Sequence, residues 1–311
     1  MIARREFLTV AGSLTAATLV PSILAAQDKD VPGMKKPKLK KALKYSMIGV
    51  GGTPREKLGL VAKLGFQGVE IDRPGNDNLD DLKAAAKATG VKIHGVIDSV
   101  HWGKPLSSPK EDVRKEALAA LRGALKDAAF VGADTVLLVP GVVNKEVTYD
   151  QCWERATAEI RKALPDAEKA GVKIAIETVW NNFITNPTQM CEFVDQFKSP
   201  WVGAYFDVSN MLKYGIPSAA WIRTLDKRML KLDFKGYSVK KAKEANNDGK
   251  GFDVGIGEGS EEWGDVLRAC GEVGYTTWAT AEVKGGDAKW LGDVSDRMTK
   301  ILELDDEAKD K

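Results

Sequence analysis

A chain of 311 residues can hold one large domain or two ordinary ones, and a closed α/β barrel uses about 250 residues as a single unit. Hydrophobic residues at 43% and charged residues at 29% are the proportions of a globular protein with material for a sizeable core. The 46 basic and 44 acidic residues leave a net charge of +2, so composition offers no field for nucleic acid.

Histidine occurs only at His94 and His101, which excludes most multi-zinc sites, since these lean on several imidazoles. Cys152, Cys191 and Cys270 have no CxxC spacing and read as small buried hydrophobes, although spacing alone does not show whether two of them pair.

At the N-terminus, Ala3-Arg4-Arg5-Glu6-Phe7-Leu8 precedes an Ala/Thr-rich, weakly apolar run. Twin arginines followed by Phe-Leu resemble a twin-arginine export signal, so residues 1–26 are expected to be a signal peptide read by the twin-arginine translocase. The expected destination is the periplasm. The alternatives are an ordinary secretory signal and an N-terminal helix; the run is too short and too polar for a stable membrane span. Residues 27–44 are rich in Lys and Pro and read as a linker.

From residue 45 to 311 one pattern repeats, which predicts a single domain. Short β-rich runs are expected at 45–50, 68–72, 91–97, 135–139, 172–177, 202–206, 229–234 and 278–282. Helical periods are expected at 55–64, 80–89, 110–131, 149–170, 187–197, 218–225, 261–273 and 287–304. Gly65, Gly90, Gly132, Gly171 and Gly274 stand where helix C-caps would feed the next strand. Eight strands alternating with eight helices predict a (β/α)8 TIM barrel. A doubly wound sheet is the alternative, but Gly49-Val50-Gly51-Gly52 lacks the phosphate-turn spacing that fold would need.

Four of these runs deliver an acid at or beside their C-terminal end: Glu177, Asp207, Asp233 and Glu282. Side chains alternate faces along a strand, so Ala175 shares a face with Glu177, Tyr205 with Asp207, Lys231 and Lys235 with Asp233, and Thr280 with Glu282. All four acids can point inward at the C-terminal mouth, where barrel active sites lie. Desolvated carboxylates need compensation of several kcal/mol. A divalent cation would supply it, and so, in part, would a salt-bridge network with Lys231 and Lys235. All-oxygen ligation favours Mn2+ or Mg2+, with Co2+ or Zn2+ as further options.

Ile176-Glu177, Phe206-Asp207-Val208-Ser209-Asn210, Asp233-Phe234-Lys235, Gly255-Ile256-Gly257-Glu258-Gly259 and Ala281-Glu282, in that order, resemble the sugar isomerase/epimerase group of xylose-isomerase-like barrels. His101-Trp102-Gly103-Lys104-Pro105-Leu106 is similar to a His-Trp…Pro-Leu segment of some members. The resemblance implies a metal held by Glu177, Asp207, Asp233 and Glu282. The family usually has His at the position of Asp233, in a His-x-Lys-Asp motif that here reads Asp233-Phe234-Lys235-Gly236.

The implied chemistry is proton abstraction beside a ketose carbonyl through an enediolate, with Glu177, Glu282 and Lys235 as catalytic residues. His101, Trp102, Asn210, Lys231, Glu70, Trp180 and Glu258 are the expected substrate contacts, and Tyr205 and Phe252 are further aromatics for the mouth. The expected partner is a small sugar, non-phosphorylated because of export, with a homo-oligomer as an option. The alternatives are a lyase acting on 3-keto-sugars or glycosides at the same metal site and a non-catalytic carbohydrate-binding barrel. A DNA-repair endonuclease of the same fold is disfavoured by the scarcity of histidine and the neutral charge.

Overall fold

A computed structural model describes residues 37–304. The expected export signal, 1–26, and residues 27–36 of the expected linker lie outside the described residues. Eight short runs, most of them rich in Val, Ile and Leu and too brief for helices, form strands. These are β1 (Lys40–Lys44), β2 (Gly68–Arg73), β3 (Lys92–Asp98), β4 (Thr135–Leu138), β5 (Lys173–Glu177), β6 (Val202–Asp207), β7 (Met229–Phe234) and β8 (Trp278–Ala281). Each pairs in parallel with its neighbour in sequence and β8 pairs back onto β1, closing the barrel.

The helices are α1 (Pro54–Lys63), α2 (Leu79–Thr89), α3 (Glu111–Val131), α4 (Tyr149–Ala170), α5 (Pro187–Asp195), α6 (Ser218–Leu225), α7 (Val239–Glu244), α8 (Trp263–Glu272) and α9 (Ala288–Leu302). Thr53 and Thr148 start α1 and α4 with capping boxes that satisfy free N-terminal N–H groups. Gly90, Gly132 and Gly171 end α2, α3 and α4 in the left-handed conformation that glycine adopts without steric cost.

Strand alternation separates two layers. Leu43, Val69, Ile174, Ile176, Leu232 and Phe234 pack outward against the helices in the main core. Leu137, Ala175 and Tyr205 form a separate cluster inside the barrel. The interior is otherwise polar: Lys44, Glu70, His94, Lys231, Asp233 and Thr280 are all buried.

The structure moves two expectations. The first strand is Lys40–Lys44 rather than 45–50, so the domain reaches into the expected linker; Tyr45–Met47 is instead a 3-10 turn. Only Ala42 and Leu43 interrupt the lysines of this segment, and its strand character comes from pairing with both β2 and β8. The loop after β7 also carries α7 and a 3-10 turn at Asp248–Phe252, for which the lysine-rich sequence shows no apolar period.

Candidate active site

Strand ends place the acids. Glu177 closes β5, Asp207 closes β6, Asp233 is the last residue but one of β7, and Glu282 follows β8 directly. Carboxylate oxygens of Glu177, Asp233 and Glu282 all lie within 4.8 Å of one another. Asp207 stands beside this trio rather than within it. Its Oδ2 is 3.1 Å from Lys235 Nζ, which lies 2.8 Å from Glu282 Oε2. Its Oδ1 accepts the backbone N–H groups of Ser209 and Asn210, at 2.8 and 2.7 Å. Lys235 thus bridges the fourth acid to Glu282 of the trio.

Beneath the trio lies a second cation, absent from the sequence-based site. Lys44 Nζ, fully buried, is 2.7 Å from Glu70 Oε2 and 3.0 Å from Asp233 Oδ2. The Tyr205 hydroxyl donates to Asp233 Oδ1 at 2.7 Å and lies 3.0 Å from Glu70 Oε2. Gly95 leaves room for this arrangement, since a Cβ there would meet Glu70 Oε1 at 2.4 Å. Lys44 escaped sequence reasoning because it is one of many lysines in its segment. Its only signal is its place two residues after Ala42, on one face of a strand that shows little strand character by itself.

Three expected positions change. Lys231 is not at the mouth: its ammonium is 2.7 Å from Asp134 Oδ1 and 3.1 Å from the His94 carbonyl, near the N-terminal ends of the strands. It lies two residues, one inward layer, before Asp233, so strand parity is right and depth is wrong. Glu70 is buried below the acids against Lys44 and does not line the cavity. Tyr205 is likewise beneath the floor and is not an aromatic of the mouth.

The other candidates surround one cavity of about 880 Å³ at the C-terminal ends of the strands, lined by His101, Trp102, Glu177, Trp180, Asn210, Lys235, Phe252, Glu258 and Glu282 among others. His101 Nδ1 accepts the Val139 N–H at 3.2 Å. Burial, with Lys44 nearby, lowers its pKa to about 4, against the attraction of Glu282. The ring is therefore neutral near pH 7 and carries its hydrogen on Nε2, a donor. Asn210 donates to the Thr178 carbonyl at 3.1 Å and accepts from Lys235 at 3.3 Å, while its own carbonyl takes the Trp180 indole N–H. Glu258 at the rim is held 2.7 Å from Arg297.

The electrostatics set the two glutamates apart. Burial pushes Glu177 up to about 8, helped by Glu282 and opposed by Lys44 and Lys235. Burial would raise Glu282 too, but Lys235 and Lys44 outweigh it and bring it to about 2. Burial also raises Asp207 and Asp233, against Lys235 and Lys44 respectively. The two lysines do not balance the five carboxyls around them. Asp207 Oδ2, Asp233 Oδ2 and Glu282 Oε2 are buried and meet the ammonium groups of Lys235, Lys44 and Lys235 at 3.1, 3.0 and 2.8 Å respectively. Three carboxyls that converge within 4.8 Å, in a cluster of five acids that two lysines only partly balance, fit a hard divalent cation.

Comparison with known proteins shows the family. Residues 58–301 match the family described as xylose isomerase-like TIM barrel. A protein of Escherichia coli K12, named as a provisional L-ribulose-5-phosphate 3-epimerase, is 25% identical over 231 residues, 71% of this chain and 80% of that one. An L-ribulose-5-phosphate 3-epimerase of Escherichia coli O1:K1 is 26% identical over 170 residues, covering 50% of this chain and 59% of the relative. Among solved structures, D-psicose 3-epimerase from Clostridium cellulolyticum H10 superposes with a TM-score of 0.69 at 20% identity, over 86% of this chain and 100% of that one. The 3-keto-D-glucoside 4-epimerase of Escherichia coli gives a TM-score of 0.72 at 14% identity, with the same coverage.

Proposed function

This chain belongs to the xylose isomerase-like TIM-barrel family, and from that premise we propose that it is an epimerase or isomerase working at the carbon beside a ketose carbonyl. The observation that carries this reading is geometric: Glu177 and Glu282, from different strands, bring carboxyl oxygens within 4.8 Å of each other at the floor of the cavity. Before any cation binds, their surroundings favour a proton on Glu177 and the ionised form of Glu282. Such a pair assigns an acid and a base.

Glu282, ionised beside Lys235, takes the proton from carbon. Glu177 is the partner acid: it delivers a proton, its own or one taken up from solvent when a cation keeps it ionised, to the same carbon from the other side or to its neighbour. Lys235 keeps Glu282 and Asp207 charged and in place. The His101 Nε2–H is a donor for a substrate hydroxyl or carbonyl oxygen. A divalent cation held by Glu177, Asp233 and Glu282, with Asp207 beside them on Lys235, would supply positive charge against the oxygen that turns negative when the proton leaves. Mn2+ or Mg2+ suits the donor set.

The substrate in this reading is a non-phosphorylated sugar. Asp253 and Glu258 line the cavity and would repel a phosphate, and its arginine, Arg297, is already occupied by Glu258 and Asp293. Export through the twin-arginine pattern belongs to the same proposal, and fractionation of cells producing the full chain tests it: recovery in the cytoplasm alone would refute it.

The central test is proton NMR in D2O with Mn2+-loaded protein and a panel of ketoses and ketose phosphates. Loss of the signal at the carbon beside the carbonyl, with an epimer or isomer appearing, is expected. E177Q and E282Q should each slow exchange by about 10²- to 10⁴-fold, and EDTA should stop it until Mn2+ is restored. No exchange with any ketose would overturn the proposal, and release of an aglycone or water would mark a lyase instead.

A further inference from the structure

The cavity changes character above the acids. Its floor is polar, formed by Lys44, His101, Glu177, Asn210, Lys235 and Glu282, while Trp102, Trp180, Phe252, Ile256, Val283 and Trp290 make an apolar wall. Proton transfer at one carbon needs the floor alone. A cavity of about 880 Å³ is near the upper end of what drug-sized ligands fill, and larger than one sugar ring requires.

Two indoles at its rim lie open to solvent. Trp102 is 51% exposed and Trp290 37%, and they rise from the β3 and β8 sides of the mouth. Trp290 is anchored: its indole N–H donates to the Lys284 carbonyl at 2.7 Å, and its ring sits so close over Gly286 that a Cβ there would come within 2.4 Å. Two indoles left in water at the rim of a polar site, one of them anchored, are suited to an apolar ligand group.

We propose that the substrate is a keto-glycoside, its sugar ring on the polar floor and an aromatic aglycone against Trp102 and Trp290. This rests on the proposed carbon-acid chemistry and narrows its substrate class. Because the aglycone occupies the anomeric carbon, the carbonyl that acidifies the C–H must stand at another ring carbon. A dehydrogenation of a ring hydroxyl must therefore supply the substrate.

Calorimetric titration of the native chain with matched phenyl and methyl hexopyranosides tests this without turnover. The phenyl member of at least one pair should bind about tenfold more tightly, and W102A and W290A should each reduce that preference to about threefold or less. Equal affinities within every pair, no phenyl glycoside binding tighter than about 1 mM, or a preference retained in both variants would overturn it. So would a change of oligomeric state in the variants with glycoside affinity intact, which would make the rim an interface between copies. Deuterium exchange on free ketoses is read separately, so a failure of the glycoside proposal is told apart from a failure of the epimerase reading.

Discussion

Lys44 is the residue on which the floor of the site depends. It is the only cation in ion-pair contact with Glu70 and with Asp233 among the described residues. Removing one partner of a buried ion pair leaves uncompensated charge, at a cost of about 3–5 kcal/mol. K44M is therefore expected to lower the unfolding free energy from urea titration by that much, and E70Q in the same chain should recover part of the loss. Asp98, buried at the end of β3, reports on pH. Burial raises its carboxyl to about 7, with the Val100 N–H opposing, against about 3.9 in an unfolded chain. Between these values the folded protein keeps a proton that the unfolded chain has shed. The contribution of Asp98 is thus complete below about pH 4, falls as pH rises to about 7, and is flat above. D98N should gain stability relative to the native chain on going from pH 5 to pH 8, read as the difference of urea midpoints; an unchanged difference would refute the assignment.

Loops at the strand ends hold the acids in register, and Glu261 joins two of them. Its Oε1 accepts the Ser209 hydroxyl at 2.8 Å, between Asp207 and Asn210, and the Tyr237 N–H, two residues after Lys235. Replacing Glu261 by alanine strands two buried donors, each worth about 1–3 kcal/mol. E261A should therefore lose more stability than E261Q, which keeps an acceptor oxygen. Since this tie sets how Lys235 meets Asn210 and Asp207, E261A should also slow deuterium exchange more than E261Q. Equal effects of the two variants would show that Glu261 does no such positioning.

Closure of the barrel is a property of the whole chain. β1 contributes few apolar residues, yet it hydrogen-bonds to both β2 and β8 and delivers Lys44 to the interior. A chain beginning at Tyr45 would leave the facing edges of β2 and β8 unpaired and Glu70 and Asp233 without their cation. It is expected to lose the cooperative thermal transition, whereas a chain beginning at Pro37 keeps every bond of β1. Calorimetry of the two truncations distinguishes them.

The (β/α)8 order, the helix-ending glycines and the inward parity of the acids were legible in the residues, because hydrophobic period and turn chemistry are local properties. Ile174 and Ile176 facing the helices while Ala175 faces inward follows from alternation alone. Depth along the barrel axis did not follow. Parity says which face a side chain takes but not which layer, so Lys231, Glu70 and Tyr205 were expected at a mouth that they lie beneath. Nor did the pairing of Lys44 with Asp233, some 190 positions apart in sequence, leave any local trace. A strand of lysines becomes a barrel stave only when neighbours on both sides supply its hydrogen bonds, and that is a tertiary fact.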